Sequence, residues 1–412
     1  MKANCVSALF LWCAISSGAP SAAGGQANAE HLVFLRANLI DGVSDRPLNN
    51  VTVVVRGGRI ERVARESLNL PLDAKVIDLN GRWLLPGLID THVHLRALSS
   101  ARRALLSGVT SAQSLGVNHF TDVEIGDLHR RGAFDLPDVV AGGYHVRRRL
   151  ADEFFLNAPQ LQVLARGVRG PDDVRQIVRV LIQRRVNVVK VMATERAGLV
   201  DTDFRRRVLT DAELAAAVDE AKRAGIPVAA HAHTDEAVRA AVRAGVRSVE
   251  HGTLVSAETL KLMRERGTCF APTLSFWEDM LDVGGEYSDT ALSNRAREVL
   301  PRARAATAAA WKSKVKVTAG SDMRYDDNDH RGIADEIESL IKSGLPPMEA
   351  VKAATSTAAE CLGIGHRTGS IAVGKEADAI VVDLNPLDDI RALRDIRMIV
   401  NNGRIAFDSL KK

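Results

Sequence analysis

The chain has 412 residues, enough for one big domain or two to three small ones, and its 46% hydrophobic and 26% charged residues are ordinary for a soluble globular protein. Its formal charge of +4 is spread over Arg-rich stretches that also carry acids, so no single-sign tail points to nucleic acid. Aromatic residues make up only 4%, which predicts an aliphatic core.

The first residues have the three-part layout of a secretory signal. Lys2 gives a positive start, an apolar run extends from Val6 to Ile15, and small residues collect at Ser16, Gly18, Ala19, Ser21, Ala22 and Ala23. Cleavage is expected after Ala23 or Ala29. The run is too short to span a bilayer comfortably, and Trp12 is too large for a lipid-attachment box before Cys13. Residues 1–29 therefore read as a leader, and the mature chain as periplasmic or secreted with no stable membrane anchor. Cys5 and Cys13 leave with it, while Cys269 and Cys361 are expected as two buried thiols and not as a disulfide framework.

From His31 to about Ile77 the pattern is β-rich. Val51–Val55 and Arg59–Val63 read as strands joined by a Gly57-Gly58 turn. Asp378–Asp383 and Met398–Ile405 have the same character, with Asn402-Gly403 as a hairpin turn. Residues 30–83 and 366–412 are thus expected to form one small composite β-sandwich domain from both chain ends.

Between them, residues 84–365 alternate apolar runs with amphipathic helical stretches. Leu84–Leu95 is the first run. The others are Val109–Leu115, Asp138–Gly143, Val186–Ala193, Ile226–His233, Arg247–His251, Cys269–Leu274 and Val315–Asp322. Stretches such as Asp211–Ala224 and Asp235–Ala244 carry Asp or Thr near their starts and Gly near their ends, as helices do. Eight β-then-helix units favour a (β/α)8 barrel of the TIM type over an open doubly wound sheet. Such a barrel gathers its reactive groups at the C-terminal ends of the strands.

The polar residues that end these runs form a consistent set. The first run ends in His92 and His94, which side-chain alternation points the same way. The fourth run holds Lys190, the fifth His231 and His233, the sixth His251 and the eighth Asp322. Five of the 11 histidines, with a lysine and an aspartate, at such positions point to a metal site. Lys190 lies within Val188-Val189-Lys190-Val191-Met192, where an unpaired ammonium is costly. Either a carboxylate pairs with it, or its pKa falls and the amine takes up carbon dioxide as a carbamate, an anionic oxygen ligand.

The chain resembles the amidohydrolase superfamily, in the prolidase-like branch of metal-dependent dipeptidases that also contains ochratoxinase-like amidases. The resemblance rests on Pro86–His94, Lys190–Gly198, His231-Ala232-His233, Ser248–Thr253 and Ala319–Asp322. Gly369–Asp378 matches the returning β domain, so nearly the whole mature chain is covered. The resemblance implies two divalent metal ions, most often zinc. His92, His94 and Asp322 would hold one and His231 and His251 the other, with carboxylated Lys190 and a hydroxide bridging them. His231 is preferred over His233 as the ligand because its spacing to His251 matches the family's. His233 would then touch the substrate. The family often has Gly-Thr-Asp where this chain has Gly320-Ser321-Asp322, which leaves the aspartate in place.

On that basis the expected activity is cleavage of amide bonds in small molecules, dipeptides or N-acyl amino acids. The bridging hydroxide would attack the carbonyl, and Asp322 would pass its proton to the leaving amine. Tyr144, after Gly142-Gly143, either donates to the developing oxyanion or packs as a surface aromatic. Arg196 is expected on a substrate carboxylate, and Arg147-Arg148-Arg149 as a solvated face. Glu278, Asp279, Asp326 and Asp327 would either favour a basic side chain or be solvated loop acids. Phosphotriester or lactone hydrolysis and cyclic-amide opening are the alternatives on the same site, and a catalytically inactive binding protein is the rival outside the class. Relatives of this type often form symmetric homo-oligomers.

Overall fold

Two hairpin tips mark where the ends of the chain meet. Gly57 and Gly58 take φ of 55° and 80°, and Asn402 and Gly403 take 48° and 74°, the left-handed pairs that suit two-residue hairpin turns. A Cβ on Gly58 would lie 2.8 Å from the Asn402 carbonyl oxygen, and one on Gly403 would lie 2.5 Å from the Gly58 Cα. Only glycine allows the tips to touch.

The computed structural model describes residues 31–65, 69–70, 72–285, 287–327 and 330–410. The expected leader lies outside them. No helix among the described residues is long and apolar enough to cross a membrane. The N-terminal strands are β1 (His31–Leu39), β2 (Leu48–Arg56), β3 (Arg59–Ala64), β4 (Lys75–Asp78) and β5 (Trp83–Pro86). The central strands are β6 (Leu88–Val93), β7 (Val109–Ser114), β8 (Asp138–Ala141), β9 (Val189–Met192), β10 (Val228–Thr234), β11 (Ser248–Leu254) and β12 (Cys269–Ala271). The chain closes with β13 (Ala379–Val382), β14 (Ile396–Asn401) and β15 (Arg404–Asp408).

β1 to β5 pair with β13 to β15 in a single sheet of order β15-β14-β13-β5-β1-β2-β3, with β4 beside β1. All eight strands hydrogen-bond into one continuous sheet, whose two end hairpins meet at their tips. Leu32, Phe34, Val53 and Leu84 from one end bury with Val381, Met398 and Val400 from the other.

The central strands form two parallel sheets, β6-β7-β8 and β9-β10-β11-β12, with helices between successive strands. This is a TIM-barrel-like α/β fold. The helices start and stop where the side chains dictate. Thr210 and Glu213 form a capping box at the start of Asp211–Arg223, and Thr234 caps Asp235–Ala244, which ends on Gly245 at φ 98°. Past β8, Val146 N donates to Lys190 O at 2.8 Å, joining that chain to β9.

The eighth expected run, Val315–Asp322, departs from the expectation. It makes only isolated bridges, Phe270↔Val317 before it ends and Val93↔Met323 just after. Asp322 sits at φ 60°, which breaks the extended backbone, and a Cβ on Gly320 would come within 2.9 Å of the His92 Cβ. The segment is held beside β6 by Thr91 N→Ala319 O (2.9 Å) and Asp322 N→His92 O (2.8 Å).

Cys269 and Cys361 are not thiols. They form a disulfide between residues 92 apart in sequence, with Cα atoms 6.1 Å apart. Cys269 begins β12 and Cys361 lies in the helix Ser356–Leu362, so the fold, and no local spacing, brings them together.

Candidate metal centre and active site

His92 and His94 project from the end of β6 with ring centroids 5.4 Å apart. His92 is 1% exposed, and its Nδ1 meets Glu250 Oε2 at 2.9 Å, while Ser248 Oγ donates to Glu250 Oε1 at 2.5 Å. A carboxylate on Nδ1 fixes the proton there and leaves Nε2 with a free lone pair, the arrangement that orients a ligating imidazole. That Nε2 lies 3.5 Å from Lys190 Nζ and 3.4 Å from Asp322 Oδ1. His94 Nε2 is 2.9 Å from the same Asp322 oxygen, and its Nδ1 is buried with no partner.

The second group comes from β10 and β11. His231 and His251 have ring centroids 4.4 Å apart, and His233 stacks on His251 at 4.7 Å and 16°. His231 Nε2 bonds to the Glu195 carbonyl at 2.9 Å, and His233 Nδ1 to Thr253 Oγ1 at 2.9 Å. His251 Nδ1 bonds to Thr273 Oγ1 at 2.7 Å. His251 and Thr273 both hold positive φ, 75° and 51°, backbone strain of the kind that concentrates at functional sites. His233 Nε2 is buried and unpartnered.

Donor atoms of His231, His233 and His251 all lie within 4.8 Å of one another, and so do those of His92, His251 and Asp322. The two sets share His251. Burial, the leading cause, and nearby cationic groups push His92, His231 and His251 well below the ordinary histidine range, and His233 down to about 3. All are neutral imidazoles, the ligating form. Burial pulls Lys190 down to about 8. Burial also pushes Asp322 up, but His92, His94 and Lys190 outweigh it, and the group is held below the usual carboxylate range as an anion. Neutral imidazoles, an anionic carboxylate and orphaned buried nitrogens fit divalent cations.

These groups line a cavity of about 90 Å³, together with His145, Arg196, Phe276 and Tyr287. The amidohydrolase family matches residues 83–406 of the chain. The chain belongs to that family. It is 27% identical to ochratoxinase from Aspergillus niger over 415 aligned residues, 90% of this chain and 85% of the relative. A solved Xaa-Pro dipeptidase with bound methionine superposes with a TM-score of 0.80 at 26% identity, covering 91% of this chain and 99% of that one. A prolidase complexed with N-methylphosphonate-L-proline gives 0.79 at 27% identity over the same shares. This amidohydrolase therefore falls in the prolidase- and ochratoxinase-like branch, and it is a hydrolase acting on amide bonds.

Of the residues expected from sequence, the amidohydrolase brings together His92, His94, Lys190, His231, His233, His251, Asp322 and Arg196. Tyr144 is not among them. It is neither a surface aromatic nor a donor at the cavity, being 1% exposed with its ring stacked between His145 and Phe154. Its hydroxyl accepts from Arg147 Nη2 and Ala151 N, both at 2.8 Å. His145, one residue on, lines the cavity instead, with a buried, unpartnered Nδ1.

Arg148 is structural and not part of a solvated face, forking onto Glu213 at 2.6 and 2.9 Å. Glu278 is spoken for by Arg304, Arg331 and Ser339, and Asp279 by Tyr287 N. Asp326 accepts from Ser100, and Asp327 pairs with Arg103. None of these acids lines the cavity.

Supporting residues escaped the sequence reading. Glu250 is an acid inside an apolar run, the same signal that marked Lys190. Asp90, also in an apolar run, accepts from Ser321 N (2.9 Å), Ser321 Oγ (2.5 Å), Tyr325 Oη (2.9 Å) and His92 N (3.1 Å). It ties the irregular segment carrying Asp322 to the strand carrying His92.

Proposed function

We propose that the protein is an exported binuclear metallohydrolase that cleaves the amide bond of dipeptides or N-acyl amino acids. The single observation that carries this is the convergence of five neutral histidines, Lys190 and Asp322 in one cavity. We further propose that the central strands close as a (β/α)8 barrel over residues 84–365. The sheet of residues 30–83 and 366–412 then forms a separate small domain, and the chain acts as a homo-oligomer.

His92, His94 and Asp322 would hold one ion and His231 and His251 the other, with zinc the proposed metal. His231 donates from Nε2 to the Glu195 carbonyl, which leaves Nδ1 for the ion. Burial lowers the pKa of Lys190 to about 8, so a larger share of its amine is neutral near neutral pH than in an ordinary lysine, as addition to carbon dioxide requires. Addition of the amine to carbon dioxide releases one proton and gives a carbamate, an anionic oxygen ligand with which Lys190 would help hold the metal. Two bound cations supply Lewis acidity for the scissile carbonyl and lower the pKa of a water enough to make it nucleophilic near neutral pH.

The remaining steps belong to the chain's own residues. Asp322 takes the proton of the attacking water and delivers it to the leaving nitrogen. Thr253 can donate its hydroxyl hydrogen to His233 Nδ1, so His233 presents Nε2–H to the substrate's oxygen. Arg196 meets a substrate carboxylate, and His145, 3.4 Å from Arg196 Nη2, lines the same cavity. The Cys269–Cys361 disulfide supports export, because such bonds persist in oxidising compartments.

The test is release of free amino acid from a panel of dipeptides and N-acyl amino acids, before and after chelation and with zinc restored. Turnover lost on chelation and regained with zinc is expected. Cleavage of lactones or phosphotriesters alone, or turnover indifferent to chelation, would overturn the reading.

A further inference from the structure

We propose that Arg295, which lies outside the cavity, is a positioning residue for substrate binding: it fixes the loop that carries Arg196 and so sets the subsite for the substrate's carboxylate. This deepens the proposed amide hydrolysis and rests on it.

The loop spans residues 195–206, between β9 and the helix Asp211–Arg223, and contains no helix or strand. Its Arg196, Ala197, Gly198 and Leu199 line the cavity. Ordering such a stretch costs backbone entropy at every residue, so its position depends on what holds it. The base is closed by the chain itself. Thr194 bridges to Arg207, Glu195 N donates to Arg206 O at 3.0 Å, and Val208 N donates to Ala193 O at 2.9 Å.

The outer span is held from a neighbouring element. Arg295 stands in the helix Thr290–Lys312 and reaches three carbonyls of the loop. Its Nη1 donates to Ala197 O and, at 2.8 Å, to Leu199 O, while Nη2 donates to Thr202 O at 2.9 Å. Thr202 Oγ1 in turn lies 2.7 Å from Arg196 O and 2.9 Å from Leu199 O. The guanidinium therefore holds Thr202, and Thr202 holds the backbone of Arg196. A Cβ on Gly198, inside the clamped span, would lie 2.8 Å from the Tyr287 ring, so the loop is packed tightly where it faces the cavity.

The residue type fits the task. Three carbonyls spread over six residues suit a planar guanidinium with diverging donors better than a single ammonium. A second tie to the same helix, Arg205 to Glu298 at 3.2 Å, joins two exposed side chains and holds less. Without Arg295 the outer span would relax and Arg196 would leave its place. Binding would then have to reorder the loop, which weakens affinity. Asp322 and the histidines stand on other segments, and the closed base keeps the Glu195 carbonyl on His231 Nε2. The loss should fall on KM and spare kcat.

The test is a double-mutant cycle on the zinc-loaded full chain. Its probe is the best-cleaved of glycyl-L-phenylalanine, N-acetyl-L-phenylalanine and L-alanyl-L-proline, all of which carry the carboxylate. Arg295→Gln should raise KM about tenfold, the scale of one weakened charge-assisted contact, with kcat changed by less than about twofold. Arg196→Ala should raise KM at least as far. Adding Arg295→Gln to it should raise KM by less than about twofold more, because both changes act on one contact. Arg295→Lys should recover part of the loss, and it serves if the glutamine variant folds poorly. An unchanged KM, a fall in kcat alone, or losses that multiply in the double variant overturns the inference while leaving amide hydrolysis standing. A parent that cleaves none of the three compounds overturns both.

Discussion

The molecule has two hollows at opposite ends of its central strands, and the smaller one gathers the groups that could hold a metal. The larger, about 930 Å³, lies where β8 to β11 begin, against the touching hairpin tips of Gly57-Gly58 and Asn402-Gly403. Its charges are largely settled into structural pairs. Arg367 bridges Asp138 and Glu376, Arg130 pairs with Asp127, and Arg404 lies over the Phe134 ring at 5.1 Å. The smaller, about 90 Å³, lies at the other ends of the strands and is lined by neutral histidines, a lysine with a depressed pKa and one engaged carboxylate. Volume is a poor guide to reactivity here. Desolvation, which shifts pKa values and leaves ligand nitrogens bare, is the better one.

Four changes would break or sharpen this contrast. Asp322→Asn acts on the small cavity and should lower kcat by about 10²–10⁴-fold, the range for a lost acid–base group, with little change in thermal stability. Steady-state kinetics beside a melting curve check it, and an unchanged kcat would remove Asp322 from the reaction. Cys269→Ser acts on the other end of β12 and should do the reverse. The bond closes a loop of 92 residues, so its loss should cost about 2–5 kcal/mol of stability in denaturant titration while the folded enzyme keeps its turnover.

Arg367→Ala lies on the large cavity. It strands Asp138, which is 6% exposed, and weakens the hold on Glu376, so about 3 kcal/mol of stability should go with kcat/KM unchanged. A fall in kcat/KM would make the larger hollow functional. The smallest effect is expected at Glu336, a fully buried acid that accepts from Ser275 N (2.7 Å) and Ser275 Oγ (2.9 Å). Burial raises its pKa to about 8 from an ordinary 4.5. The folded chain therefore binds a proton that the unfolded chain has released across that window. Its contribution is full below the ordinary value and is lost as pH rises through about 8. Glu336→Gln should flatten that decline, with a gain over the parent of about 1 kcal/mol at the alkaline end. Parallel stability–pH curves for the two proteins would refute it.

What could be read beforehand followed from periodicity. Alternation placed His92 with His94 and His231 with His233, and apolar runs made Lys190 conspicuous, so the cluster that lines the small cavity was legible. Tyr144 was misread because its run stops at Ala141 and the chain turns beyond it, which gives His145 the cavity and Tyr144 the core. The eighth run looked like a strand by composition. Its backbone is shaped by Asp90, Ser321 and the positive φ of Asp322, none of which leaves a periodic trace. The disulfide was hidden for a similar reason, since only the assembled fold brings the helix Ser356–Leu362 against β12. Glu250 was overlooked although it carries the same signal as Lys190.

The central claim is that the small cavity is a two-metal centre built around Lys190. Metal analysis of the purified chain beside Lys190→Ala tests it most directly. The account predicts about two divalent ions per chain in the parent and a clear loss in the variant, with the fold intact by circular dichroism. A parent that binds no metal, or a variant that keeps the parent's full complement, would contradict it.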